Sequence, residues 1–68
     1  MRDQLDSLVQ EMLEKGMLYD DARREFEKMF ITRALQQSKG SVGDAADLLG
    51  LHRNTVARKM TEYRIKRI

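Results

Sequence analysis

The residues best equipped for chemistry lie together at one end of the chain. Residues 51–68 carry Arg53, Arg58, Lys59, Arg64, Lys66 and Arg67 against the single acid Glu62, a net of +5, whereas residues 1–50 carry seven Lys/Arg and ten Asp/Glu, a net of −3. A short basic segment on an otherwise acidic small chain is the electrostatic footprint of a nucleic-acid contact, although a solvated basic tail has the same composition. Asn54 and Thr55 are interleaved with the cations and add side chains that hydrogen-bond phosphate.

Other chemistries have little to work with. The chain has no Cys and one His, His52, so there is no thiol nucleophile and no usual zinc ligand set, and His52 reads as a turn residue. No GxxxxGK phosphate loop occurs. Asp20, Asp21, Glu25 and Glu27 could pass for paired catalytic carboxylates, but they gather at a helix start, where solvated charge favoured by the dipole accounts for them. Met12, Phe26, Met29 and Phe30 have helical spacing and read as core, not as a cofactor box. No enzyme, metal or cofactor is expected.

The basic segment has to be positioned by a small scaffold. A chain of 68 residues makes one domain and buries only about 60% of the surface its unfolded form exposes. Without disulfides, self-association or efficient helix packing must supply the remaining stability, which makes a homodimer the expected state. With 41% hydrophobic and 35% charged residues, no Pro and four Gly, the composition is that of a soluble all-α protein. No apolar run approaches the roughly 18 residues of a membrane span. The start, Asp3 and Asp6 after Arg2, lacks the basic and apolar regions of a signal peptide. A cytoplasmic setting without membrane contact is expected.

The apolar spacing predicts four helices. Leu5, Leu8, Val9, Met12 and Leu13 fall within an arc of roughly 140° at 100° per residue, giving a first helix over 3–15 that stops at Gly16. A second begins around Asp20 and Asp21 and runs to Ser38. Its stripe of Ala22, Phe26, Met29 and Phe30 is expected to face the first helix and a partner chain, while Ile31 and Leu35 hold the C-terminal part of the chain. Ser41 with Asp44 forms a variant capping box for a third helix, whose Val42, Ala45, Ala46 and Leu49 share a face before Gly50. A fourth runs from Arg53 to Tyr63 with Val56, Met60 and Tyr63 inward and Asn54, Thr55, Arg58 and Glu62 outward. Leu49, Leu51 and Val56 should fill the corner between the last two helices, Tyr19 and Tyr63 should pack, and residues 64–68 should fray. Two short helices joined by a Gly-containing turn are a helix-turn-helix, in which the second helix offers its N-terminal end to the major groove.

The segment GSVGDAADLLGLHRNTVARKM over 40–60, with Leu18-Tyr19-Asp20 and Phe26-Glu27 before it, resembles the Fis family of bacterial DNA-binding domains over nearly the whole chain. The resemblance implies a single domain over 1–68, with two intertwined dimerisation helices over 3–38 and a helix-turn-helix over 41–63 that meets bent double-stranded DNA. It implies a dimer core of Leu5, Leu8, Val9, Met12, Phe26, Met29 and Phe30. Arg53 would be the main base reader, Thr55, Arg58 and Lys59 phosphate contacts, and Asn54 and His52 further DNA-facing positions. His52 stands where the family often has Asn, and Ala57 where the nucleoid member carries a basic residue. The sequence starts at the first helix, so the recombinase-stimulating arm of the nucleoid member is not implied. Such domains occur as free-standing nucleoid-associated proteins and at the C-terminus of larger regulators, enhancer-binding activators of the nitrogen-regulation type among them. Transcriptional regulation is thus the expected role, with a dimerisation or adaptor module that does not touch DNA as its rival.

Overall fold

Apolar residues recurring at i, i+3 and i+4 become four helices in the computed structural model, which describes residues 1–66. These are α1 (Arg2–Glu14), α2 (Tyr19–Gln37), α3 (Val42–Leu49) and α4 (Arg53–Tyr63), with no strand among the described residues. The ends lie within a residue or so of the expected positions, the usual scatter of helix boundaries. Ser41 caps α3 as its spacing implied, its Oγ accepting the Asp44 amide at 3.2 Å.

All four helices stop in the same way. After α1, the Gly16 amide donates to Leu13 and the Met17 amide to Met12. Lys39 and Gly40 do the same to Gln36 and Leu35, Gly50 and Leu51 to Asp47 and Ala46, and Arg64 and Ile65 to Thr61 and Met60. This paired closure satisfies the last orphan carbonyls of a helix and requires a left-handed residue. Two of the four left-handed positions lack glycine, Lys39 at φ 53° and Arg64 at φ 55°.

Ile31, Ala34 and Leu35 of α2 close with Val42, Ala45 and Ala46 of α3 and with Val56 and Met60 of α4 into one buried cluster. Ile31 and Leu35 hold the helix-turn-helix as their position implied. Ala45 and Ala46, almost completely buried, have no bulk to keep the helices apart.

Four expectations require correction. Leu51 does not fill the corner; it is 42% exposed, and Leu49 and Val56 do that work with Ile65. Residues 64 and 65 do not fray, because the α4 closure fixes them and turns Ile65 onto the core; Arg67 and Ile68 of that expected tail, with the charge of Arg67, lie outside the described residues. Tyr19 does not pack, being 84% exposed. Nor does α1 cover the Phe26 stripe of its own chain: α2, α3 and α4 pack on one another, whereas α1 has no buried residue. Leu5, Leu8, Val9, Leu13, Phe26, Met29 and Phe30 all remain about half exposed, and Met12 is half-buried.

Candidate nucleic-acid interface

The corner between α3 and α4 aims the basic helix. Gly50, at φ 70°, turns the chain in a conformation that a Cβ would strain, and the next residues start α4. His52 is the N-cap of α4. Its Nδ1 accepts the Asn54 amide at 3.1 Å, and its carbonyl accepts the amides of Thr55 and Val56. Imidazole thereby takes the part usually played by Ser, Asp or Asn, and an Nδ1 that accepts places the ring proton on Nε2. His52 is thus a structural cap of the turn, and its Nε2 is the ring atom left to meet an outside acceptor.

Val56 and Met60 anchor the inner side of α4, while Arg53, Asn54, Ala57, Arg58, Thr61 and Glu62 are exposed and Thr55 is half-buried. Arg53 reaches the surface from near the apolar edge because α3 leaves it room: its Cδ passes 4.0 Å from where a Cβ on Gly43 would stand. The first turn of α4 contains no acid, so Arg53 sits where the helix dipole already concentrates positive potential. Among the described residues, neither Arg53 nor Arg58 joins any intramolecular ion pair. Both guanidiniums are available to an outside anion.

Lys59, for which the resemblance implies a phosphate contact, is paired within the chain. Its ammonium lies 3.3 Å from both carboxylate oxygens of Glu27 on α2, and its side chain is only 20% exposed. The Tyr63 hydroxyl donates to the same Glu27 Oε1, and Arg23 reaches it from one turn away at 3.3 Å. Glu27 therefore holds two residues of α4 against the middle of α2. The Tyr63 hydrogen bond, more than Lys59 and Arg23, holds its carboxyl below the ordinary carboxylate value, against the opposing effect of burial. The same bond raises the Tyr63 phenol. By position alone Glu27 reads as solvated charge at a helix start. Asp20 fits that assignment better, as an exposed carboxylate held below its ordinary value by Arg23.

No group of three or more His, Asp or Glu able to hold a metal ion occurs among the described residues, and none of their helices is long and apolar enough to cross a membrane.

Residues 22–63, from the first turns of α2 to the end of α4, match the family described as bacterial regulatory protein, Fis family. Over 49 residues the chain is 41% identical to the DNA-binding transcriptional regulator NtrC of Azospirillum brasilense, an alignment covering 72% of this chain and 10% of that protein. The chain thus spans about a tenth of the length of the curated relative it matches. No solved structure matches significantly. The matched stretch holds the whole helix-turn-helix and the α2 segment that Glu27 and Leu35 bind to it, and the chain belongs to the Fis family of bacterial regulatory proteins.

Proposed function

We propose that this chain is a DNA-binding domain of a transcriptional regulator, with α4 as the helix that enters the major groove of double-stranded DNA. The observation that carries this reading is the exposed face of Arg53, Asn54 and Arg58, held outward by a corner whose interior is wholly apolar. Arg53 serves as base reader, its planar fork matching the two acceptors of guanine. Arg58, Thr55 and Asn54 serve as backbone contacts that set register. The family membership and the name of the NtrC relative support the same reading.

The domain acts as a homodimer, through the apolar stripe of α1 and the Phe26–Phe30 side of α2. Phe26 and Phe30 already pair edge to face with ring centres 5.2 Å apart, yet both stay more than half exposed, a combination that suits an interface core. Two such subunits present two recognition helices to a two-fold site, with DNA bending as the means of reaching both halves. The small fraction of the NtrC relative that is covered supports placement of this domain within a larger regulator. Selection of bound sequences from a random duplex library tests the reading, with a palindromic consensus as the expected result. A dimer that binds duplex no better than a charge-matched control would replace it with the adaptor reading.

A further inference from the structure

We infer that Glu27 is an internal competitor for Lys59, which withholds one cation per subunit from the DNA backbone and so sets how far affinity depends on salt and how little of it is indiscriminate. This deepens the DNA-binding reading and rests on it. Lys59 belongs to the exposed basic segment by sequence, one residue from Arg58, yet both carboxylate oxygens of Glu27 lie 3.3 Å from its ammonium. The remaining pairs among the described residues join positions three or four apart within one helix or at its end, so Glu27–Lys59 is the one ion pair among them that ties α4 to another element. A phosphate that recruits Lys59 must first separate it from a half-buried carboxylate, leaving that charge to Tyr63 and Arg23. Until then the pair is neutral as seen from the DNA. Affinity therefore comes to depend on Arg53 and Arg58, the cations placed at the groove. Glu27 acts as a positioning residue: it does not touch the nucleic acid, and it acts through Lys59.

Glu27→Gln separates this role from simple packing, because the amide oxygen still accepts the Tyr63 hydroxyl while the ammonium of Lys59 loses its counter-charge. Arg23 keeps Asp20, with which it bonds at 3.1 and 2.9 Å. The experiment measures binding of the full chain to a random-sequence duplex and to its selected site across a salt series. The slope of log K against log salt should steepen by about 0.9 per bound subunit in E27Q. Affinity for the random duplex at low salt should rise more than affinity for the selected site. Between 50 and 200 mM salt, each subunit should lose about three- to fourfold more affinity than in the parent. The double variant E27Q/K59Q should return the slope to that of the parent. An unchanged slope in E27Q, or a double variant that stays steep, overturns the inference. Should E27Q fail to fold, K59Q decides: a parental slope supports the competition, and a flatter one shows Lys59 already on phosphate. A parent chain that binds neither duplex strikes the DNA-binding reading itself, a result distinct from any of these.

Discussion

Lys59 and Glu27 meet across thirty-two residues of chain, ammonium to carboxylate at 3.3 Å, and fix the outer side of α4 to the middle of α2. The pair is part-buried, with side chains 20% and 26% exposed, so desolvation offsets much of its Coulomb attraction and its effect lies in geometry more than stability. Leu35 and Val56 hold the two helices together from within, and Glu27 restrains rotation about that contact.

The clamp has two pH limits. Glu27 lies below its ordinary value of 4.5 in the folded chain, so its contribution is complete above pH 4.5 and is lost as the pH falls through the lowered value. Tyr63 lies above its ordinary value of 10.0, so its contribution is complete below pH 10.0 and is lost as the pH rises through the raised one. Denaturant melts across pH should show the stability difference between the parent and E27Q shrinking to nothing on the acid side. Y63F should likewise lack the alkaline decline. An acid limb identical in the parent and E27Q would place the titration on other groups.

Core and stripe should respond differently to truncation. Leu35→Ala, at a position 1% exposed, should cost about 2–5 kcal/mol at any protein concentration. Leu8→Ala removes a side chain 53% exposed in the single subunit. It should cost little in dilute solution and abolish the rise of Tm with concentration that association confers. Sedimentation or light scattering beside the melts checks the assignment; a parental Tm independent of concentration would remove the dimer.

Lys39 holds a left-handed conformation at φ 53°, which costs a residue with a Cβ on the order of 1 kcal/mol. Lys39→Gly should therefore stabilise the chain by about 0.5–1 kcal/mol and raise Tm by a few degrees. Thermal denaturation with retained DNA binding is the check, since Lys39 lies before α3 and outside the exposed face of α4.

Arg53→Ala should cost roughly 1–3 kcal/mol per half-site and relax preference at one symmetric base pair, with a smaller loss on random duplex. Arg53→Lys should restore charge without the bidentate fork and recover only part of the specificity. Because the Arg53 stem passes 4.0 Å from a Cβ placed on Gly43, Gly43→Ala fits at ordinary contact distance and should leave specificity intact, whereas a bulkier Gly43→Leu should mimic the loss of Arg53. A selected consensus unchanged by Arg53→Ala would move that residue among the phosphate contacts.

Much of the fold was legible because its signals are local. Apolar recurrence placed the helices, Gly16 and Gly50 marked two of the stops, and Ser41 with Asp44 marked a start, each within a few residues of the feature it controls. The features that stayed hidden depend on contacts distant in sequence or on residues in unaccustomed roles. No spacing rule connects Glu27 to Lys59 or Tyr63, thirty-two and thirty-six positions away. His52 as a cap and Lys39 and Arg64 as left-handed terminators are roles that propensity assigns to other residue types. Ile65 belongs to the core only because Arg64 turns the chain back, so the wheel of α4 could not include it. Leu51 passed for a corner residue on composition, but the corner is already full with Leu49 and Val56.

Thirteen residues without a buried contact are too few to hold a helix unaided in water, where nucleation is costly and short isolated helices are marginal. Under the homodimer proposed above, the order of α1 is borrowed from the surface that covers its leucines. When that surface is supplied by another copy, the fraction of α1 that is helical becomes a function of how much protein is present. Amide hydrogen exchange would register this as protection in α1 that rises with dose while protection at Leu35 and Val56 stays constant. In the homodimer proposed above, the helicity of α1 therefore reports the monomer–dimer equilibrium.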